Sequence, residues 1–337
     1  MKITRSQLAN ACYHAAEILQ TPLYYFCNHL IGRIKTVLTP GKFGNCNDKT
    51  LEVIRRITLI LFSPAIVGGV IVCSPLYLLM YRLGDIALGT IPYLRIYGSY
   101  QGEKNNNFGT FNMSTLLPTM TLTDGVEYSD ARLSEIASKI QDFHFICGQE
   151  VDGASARFFA RKLHSHFCEF YTYLGKSNVP YLPSGFFFAV KEPVKNVTLI
   201  PYQGKVQKSI RRVLTIFELE AYCVAVTHLD GGLGAQVHID EIHQIASHLK
   251  TISKPVILCG DFNEDRYQHS PAYQAVTEHF IDYIAKSPNV VITCTDALEK
   301  ERYGNETPPT ELSIDYILRR KSDTIELSFT GTVYDFN

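Results

Sequence analysis

The sequence predicts an α/β fold with a mixed β-sheet, preceded by a helical, membrane-associated N-terminal region. Three observations lead there. From position 108 onward, short apolar runs alternate with patterns of helical spacing. Residues 57–81 form a run of 25 residues without a charge. The charge is also divided: residues 1–100 carry 10 Lys/Arg and 4 Asp/Glu, whereas residues 101–337 carry 22 and 29. Two differently built parts follow, with expected boundaries 1–100 and 105–337.

Composition supports a packed protein. Of 337 residues, 46% are hydrophobic and 19% charged, which excludes a wholly disordered chain. Tryptophan is absent, and 20 Tyr and 19 Phe supply the large core side chains. The formal net charge of −1 does not suggest a nucleic-acid binder. The nine cysteines are odd in number and form no C-x-x-C, so the expectation is buried, reduced thiols and a reducing, cytosolic-type compartment.

In the N-terminal part, LANACYHAAEILQ and YYFCNHLIGRIKTVL mix apolar and polar positions at helical spacing, punctuated by Pro22 and Pro40-Gly41. They are expected to lie as amphipathic helices near a membrane. The run 57–81, flanked by Arg55, Arg56 and Arg82, would span ~37 Å as a helix, more than the ~30 Å hydrocarbon core. A buried helix of a soluble domain is the competing reading, and core helices rarely run so long without a charge. Pro64, Gly68, Gly69 and Pro75 suit either a spanning helix or a bent one that re-emerges on the same face. The weaker apolar stretch 86–93 is expected to lie in or return through the interface, and 96–107 to form the linker.

The C-terminal part offers strands at 108–114, 143–150, 184–191, 213–220, 221–229, 255–262 and 313–320, with amphipathic helices at 130–140 and 239–251. The runs 213–220 and 221–229 abut, which predicts an antiparallel hairpin. Several strands end in a polar residue out of place in a core: Asn112, Glu150, His228, Asp261, Asn263 and Asp315. Buried carboxylates need a partner, a proton or a metal, and ligands gather at strand ends in α/β sheets. Each residue alone reads equally as a cap or a turn, G-D-x-N above all. Six in one domain predict a shared site.

The segments FNMSTLLP, ICGQEVDG, VTHLDGG, LCGDFNED and SIDYIL, in this order, resemble the endonuclease/exonuclease/phosphatase superfamily of DNase I-like enzymes. That resemblance implies two mixed β-sheets packed as a sandwich with flanking helices, and metal-dependent cleavage of phosphoesters. Asn112 and Glu150 match the metal-binding pair, for Mg²⁺ or Mn²⁺, through hard oxygen ligands. Asp261 matches the residue that orients or activates water, and Asn263 the one that holds a phosphoryl oxygen. His228 matches the phosphate-contacting His, and Asp315 a further acid. The chain departs from the family at its end: no His follows His279, and YDFN stands where a Ser-Asp-His motif is expected. The expectation is a degenerate motif or a missing last strand.

LLP (116–118), TCTDAL (293–298) and the apolar run resemble sphingomyelinase-like members, which implies a phospholipid headgroup such as sphingomyelin as substrate. The acidic second part speaks against duplex nucleic acid. The alternatives are a nuclease or phosphoinositide phosphatase on the same fold, and a catalytically impaired, membrane-tethered scaffold. Lys208, Arg211 and Arg212 form a basic cluster read as a solvated face, with contact to lipid phosphate as the alternative, and His164, His166, His238, His243 and His269 are read as surface residues.

Overall fold

The computed structural model describes residues 5–25, 46–89, 93–102, 107–115, 130–174, 185–204, 212–231, 234–285, 293–295 and 311–324. Pro40-Gly41, Lys208, Arg211 and positions 116–118, 296–298 and 335–337 lie outside these residues. Among the described residues two helices come first, α1 (Arg5–Tyr25) and α2 (Cys46–Leu88). Pro64 and Pro75 both sit inside α2, and the helix continues through them. The apolar run 57–81 is therefore part of one long helix. Along it Ile57, Leu61, Phe62, Val67, Ile71, Val72 and Leu76 are exposed. Its segment Val67–Leu88 is long and apolar enough to cross a membrane.

The α/β part follows with β1 (Leu94–Tyr97), β2 (Phe108–Thr115), α3 (Asp130–Ile140), β3 (Phe145–Val151), α4 (Gly153–Lys162), β4 (Glu169–Leu174), β5 (Phe186–Val190) and β6 (Asn196–Pro201). It continues with β7 (Val213–Glu218), β8 (Cys223–His228), α5 (Ala235–Lys250), β9 (Val256–Asp261), α6 (Pro271–His279), β10 (Phe280–Asp282), β11 (Cys294–Thr295), β12 (Glu311–Leu312) and β13 (Asp315–Arg320). The strands form two mixed sheets, ordered β1-β4-β5-β3-β2 and β10-β13-β9-β8-β7-β6, with β11-β12 as a small ribbon. The expected hairpin of β7 and β8 is antiparallel. One strand was not expected: residues 94–97, the last two of which open the expected linker 96–107, pair with β4 as an edge strand of the first sheet. A four-residue strand carries too few positions for an alternation to be read.

The sheets pack face to face. Phe145, Cys147, Tyr171, Phe188, Phe217, Val226 and Ile257 fill the space between them. Successive residues of a strand point to opposite faces, so Phe187 and Ile146 face outward under α3 and α4. Ala225 and Leu258 face outward under α5 and α6. Six cysteines among the described residues are free, with Cys147 and Cys259 buried in the layer between the sheets.

Phe188 and Phe217 stack across that layer with ring centroids 3.9 Å apart. Truncation to Phe188→Ala is expected to cost ~3–5 kcal/mol through lost burial and an unfilled cavity. Urea unfolding of the variant measures it, and a loss below about 1 kcal/mol would show that this layer re-collapses.

Candidate active site

The alternation that builds the core also builds the site. Val224 and Val226 of β8, Ile257 and Cys259 of β9, and Ile317 of β13 face the inter-sheet layer. The same parity carries His228, Asp261 and Asp315 to that layer at the ends of their strands. Register aligns them, since Asp261 stands opposite His228 on β8 and opposite Asp315 on β13. In the first sheet Phe108 faces the layer and so sets Asn112 toward it.

Glu150 is different. Alternation along β3 assigns it to the outer face with Ile146. Its left-handed backbone, φ 54°, breaks the alternation and turns the carboxylate toward His228. Asn263 is also left-handed, φ 51°. Non-glycine residues rarely adopt this region, which costs ~1–3 kcal/mol and clusters at functional sites. Gly260, immediately before Asp261, passes so close to β8 that a Cβ would overlap the Thr227 carbonyl.

All six sequence-selected residues are brought together. Asn112 Nδ2 donates to Asp261 Oδ2 at 2.9 Å, joining the two sheets. His228 Nε2 lies 3.6 Å from Asp261 Oδ2 and 3.9 Å from Glu150 Oε1. The Asn263 N–H donates to Asp261 Oδ1 at 2.8 Å, and its side-chain amide donates to the Leu229 carbonyl at 2.9 Å. Burial and the neighbouring Asp261 hold the Asp315 carboxyl well above the usual carboxylate range, against hydrogen bonds from Thr293 and the Asn112 N–H. Asp315 Oδ1 has no hydrogen-bond partner among the described residues. Burial also raises Asp261. His228 is pushed well below its ordinary value by burial and by Arg212, so the imidazole is neutral at pH 7.

Two sequence expectations are corrected here. Arg212 is 8% exposed and belongs to no solvated face. Its guanidinium lies among Asp230, Glu150, Asp261 and Glu241, and its Nε has no hydrogen-bond partner among the described residues. The signal in the sequence was its place directly before β7, where the following Val213 enters the core. His238 is buried as well. Its Nδ1 pairs with Glu264 at 3.0 Å and its Nε2 with the Asp230 carbonyl. It thereby ties α5 to the loops after β8 and β9.

The loop after β9 is held from beneath. Arg266 is 1% exposed and donates to Asp282 at 3.1 Å, to Ser313 Oγ at 2.6 Å and to the Asp315 carbonyl. It also sits over the Tyr316 ring. Asp265 accepts from the Ser313 N–H at 3.2 Å. These contacts explain why GDFNED and SIDYIL occur together: each loop satisfies the other's buried polar groups.

Asn112, Glu150, Asp261 and Asp315 bring hard oxygen donors to this end of the sandwich, linked through Asp261 and His228, while among the described residues the ligand atoms already drawn within 4.8 Å of one another are those of His243, Glu278 and His279. Among the first four, an orphaned, buried carboxylate oxygen lies on Asp315. Their donor set fits a divalent cation of the Mg²⁺ kind.

The fold is a two-sheet sandwich with helices on its outer faces and polar side chains gathered at the ends of its strands, the architecture of DNase I-like proteins. The chain belongs to the Endonuclease/Exonuclease/phosphatase family, which it matches over residues 109–335. Members of this family typically use divalent metal ions. Among curated proteins none is significantly similar. Several solved structures are similar to this chain. A β-hairpin deletion mutant of beta toxin from Staphylococcus aureus is 15% identical, with a TM-score of 0.49, over 69% of this chain and 93% of that one. Sphingomyelinase C from Streptomyces griseocarneus is 17% identical, with a TM-score of 0.44, over 63% and 82%. D. rerio TDP2, complexed with a single-strand DNA product, is 13% identical, with a TM-score of 0.46, over 65% and 84%.

Glu241 lies under the site, accepting from the Asp230 N–H, and burial raises its carboxyl to about 7 from an ordinary value of 4.5. Between those values the unfolded chain has released the proton and the folded chain has not. Stability is therefore lost as pH rises through that window, by an amount on the order of 3 kcal/mol in total. Glu241→Gln removes this titration. Its stability advantage over the parent, measured by urea unfolding, should widen from pH 5 to pH 8, and a gap that does not change with pH contradicts the assignment.

Proposed function

We propose that this protein is a membrane-anchored, Mg²⁺-dependent phosphodiesterase acting on a phospholipid headgroup, sphingomyelin being the first substrate to test. The observation that carries the chemistry is the chain of contacts that links Asn112 and Asp315 to Asp261, and Asp261 through His228 to Glu150, with the charge of the buried Arg212 acting on Glu150 and Asp261. The lipid reading is supported by the long apolar helix α2 and by the acidic balance of the second part.

In this reading Asn112 and Glu150 hold the metal, with Asp315 completing the oxygen set. A bound Mg²⁺ neutralises charge on the phosphoryl oxygens. Asp261, fixed by Asn112 and by the Asn263 N–H, orients the attacking water and accepts its proton. The neutral imidazole of His228 offers a hydrogen bond to the phosphate without adding a charge that its burial would oppose. Arg212 supplies a fixed positive charge where negative charge develops, in a site from which water is largely excluded.

Incubation with sphingomyelin vesicles and Mg²⁺ should release phosphocholine, stop with a chelator and resume on adding Mg²⁺ back. Asp261→Asn should lower the rate ~10²–10⁴-fold while urea unfolding shows the fold intact. Plasmid nicking without lipid hydrolysis would move the assignment to a nuclease. Absence of turnover on lipid, nucleic acid and phosphoinositide, with Mg²⁺ still bound, would make the chain a tethered binding protein.

A further inference from the structure

The end of the α/β part that carries the site is also the end to which the N-terminal hairpin is fastened. β4 runs parallel to β3, because each is antiparallel to β5. Tyr173, near the end of β4, therefore lies at the same end as Glu150. Leu94 begins β1 opposite Thr172, so the chain arriving from α2 also enters here.

The fastening is a buried polar clamp. Arg157 on α4 donates through Nε to Glu17 of α1 at 2.7 Å and pairs with Asn10. The Tyr173 hydroxyl donates to the same Glu17 at 2.9 Å. Tyr13 stacks on Tyr173 with centroids 4.2 Å apart, and its hydroxyl donates to Asp85 of α2 at 2.7 Å. Tyr173 is held in the left-handed region, φ 61°, so the clamp is built into a bulge of β4. Gly153 leaves room for Glu17 and Tyr173 at the start of α4, directly after the strand that carries Glu150.

Beyond the clamp, α2 continues as an apolar rod, from Leu76 back to Ile57, with exposed Ile71, Val72, Val67, Phe62 and Leu61 between. An oily helix fixed rigidly at the site end differs from one on a flexible linker, because it dictates which side of the domain meets the bilayer. We propose that the clamp turns the mouth of the site toward the bilayer that holds α2, so that the substrate is a phosphodiester lipid drawn from that same bilayer. This rests on the lipid reading above and adds the direction of approach.

The absence of tryptophan makes the orientation measurable. Tyr267 lies in the turn after the Asp261 strand, at the site end, and Glu220 lies between β7 and β8, at the opposite end. Each of Tyr267→Trp and Glu220→Trp, in the full chain, gives a protein with one tryptophan. In phosphatidylcholine vesicles doped with headgroup spin-labelled phosphatidylcholine, the tryptophan at 267 should be quenched strongly and the one at 220 little. Adding Glu17→Ala should shrink the difference. Equal quenching at both positions, or stronger quenching at 220, overturns the proposal without touching the lipid assignment.

An activity experiment separates the two. Enzyme reconstituted in vesicles that contain sphingomyelin should hydrolyse this host lipid at least ~10²-fold faster than sphingomyelin offered in separate, protein-free vesicles. Equal rates in both pools overturn the inference alone. No hydrolysis in either pool, with a soluble phosphodiester still cleaved, overturns the lipid reading and the inference with it.

Discussion

The hydrogen bond from Asn112 to Asp261 is the interaction on which the site depends. It connects two sheets whose shared layer is otherwise built largely from apolar side chains. At this end the sandwich gives up its hydrophobic layer and gathers Glu150, Asp261 and Asp315 in its place. Like charges so close, in a medium that screens them poorly, oppose folding. The opposition shows in the raised proton affinity of Asp315 and Asp261, and it is met by the amide of Asn112, by backbone N–H groups and by the guanidinium of Arg212. A bound dication would meet it more fully, which links metal affinity to the same charges that destabilise the unliganded fold.

Rigidity is supplied from behind. The left-handed backbone at Glu150 and Asn263 persists only if the surroundings over-determine it. Arg266, fully buried with three separate acceptors, fixes the β9 loop against the start of β13. Asp282 receives that arginine and in turn accepts from the Ile284 and Ala285 N–H groups at 3.0 and 3.2 Å. His238 does the corresponding work on the other side, through Glu264 and the Asp230 carbonyl. None of these residues needs to touch a substrate to matter for where Asp261 and Asn263 stand.

What the sequence made legible follows from periodicity. β2, β3, β5, β7, β8, β9 and β13 are strongly apolar and bounded by turn residues, and their polar ends marked the site. Glu150 was found because it ended such a run, although alternation alone would have pointed it the wrong way. The residues that read as solvated but are buried are those whose burial is decided by other segments. Arg212 sits in a basic cluster and looks solvated until β7 carries it inward. His238 occupies a helix position whose neighbours are polar, and only the loops folded over α5 bury it. Short strands such as β1 and β10 carry too few residues to show a period, and they exist because β4 and β13 present edges to be paired.

The N-terminal helices are fastened to the sandwich at more than one place. A sandwich flanked by helices covers its sheet faces, so an added element can attach only at an edge or at the strand ends. This hairpin uses both. β1 pairs the open edge of β4, and the Glu17–Arg157–Tyr173 clamp grips the strand ends. Two attachments at different places remove the swivelling that one would leave, and the short connection from Leu88 to Leu94 removes most of what remains. Leu94 is fully buried with Ala9, Tyr13 and Leu88, so the junction is itself a small core. The apolar helix is therefore an extension of the folded domain, joined through the clamp to the end of the sandwich at which β3 ends in Glu150.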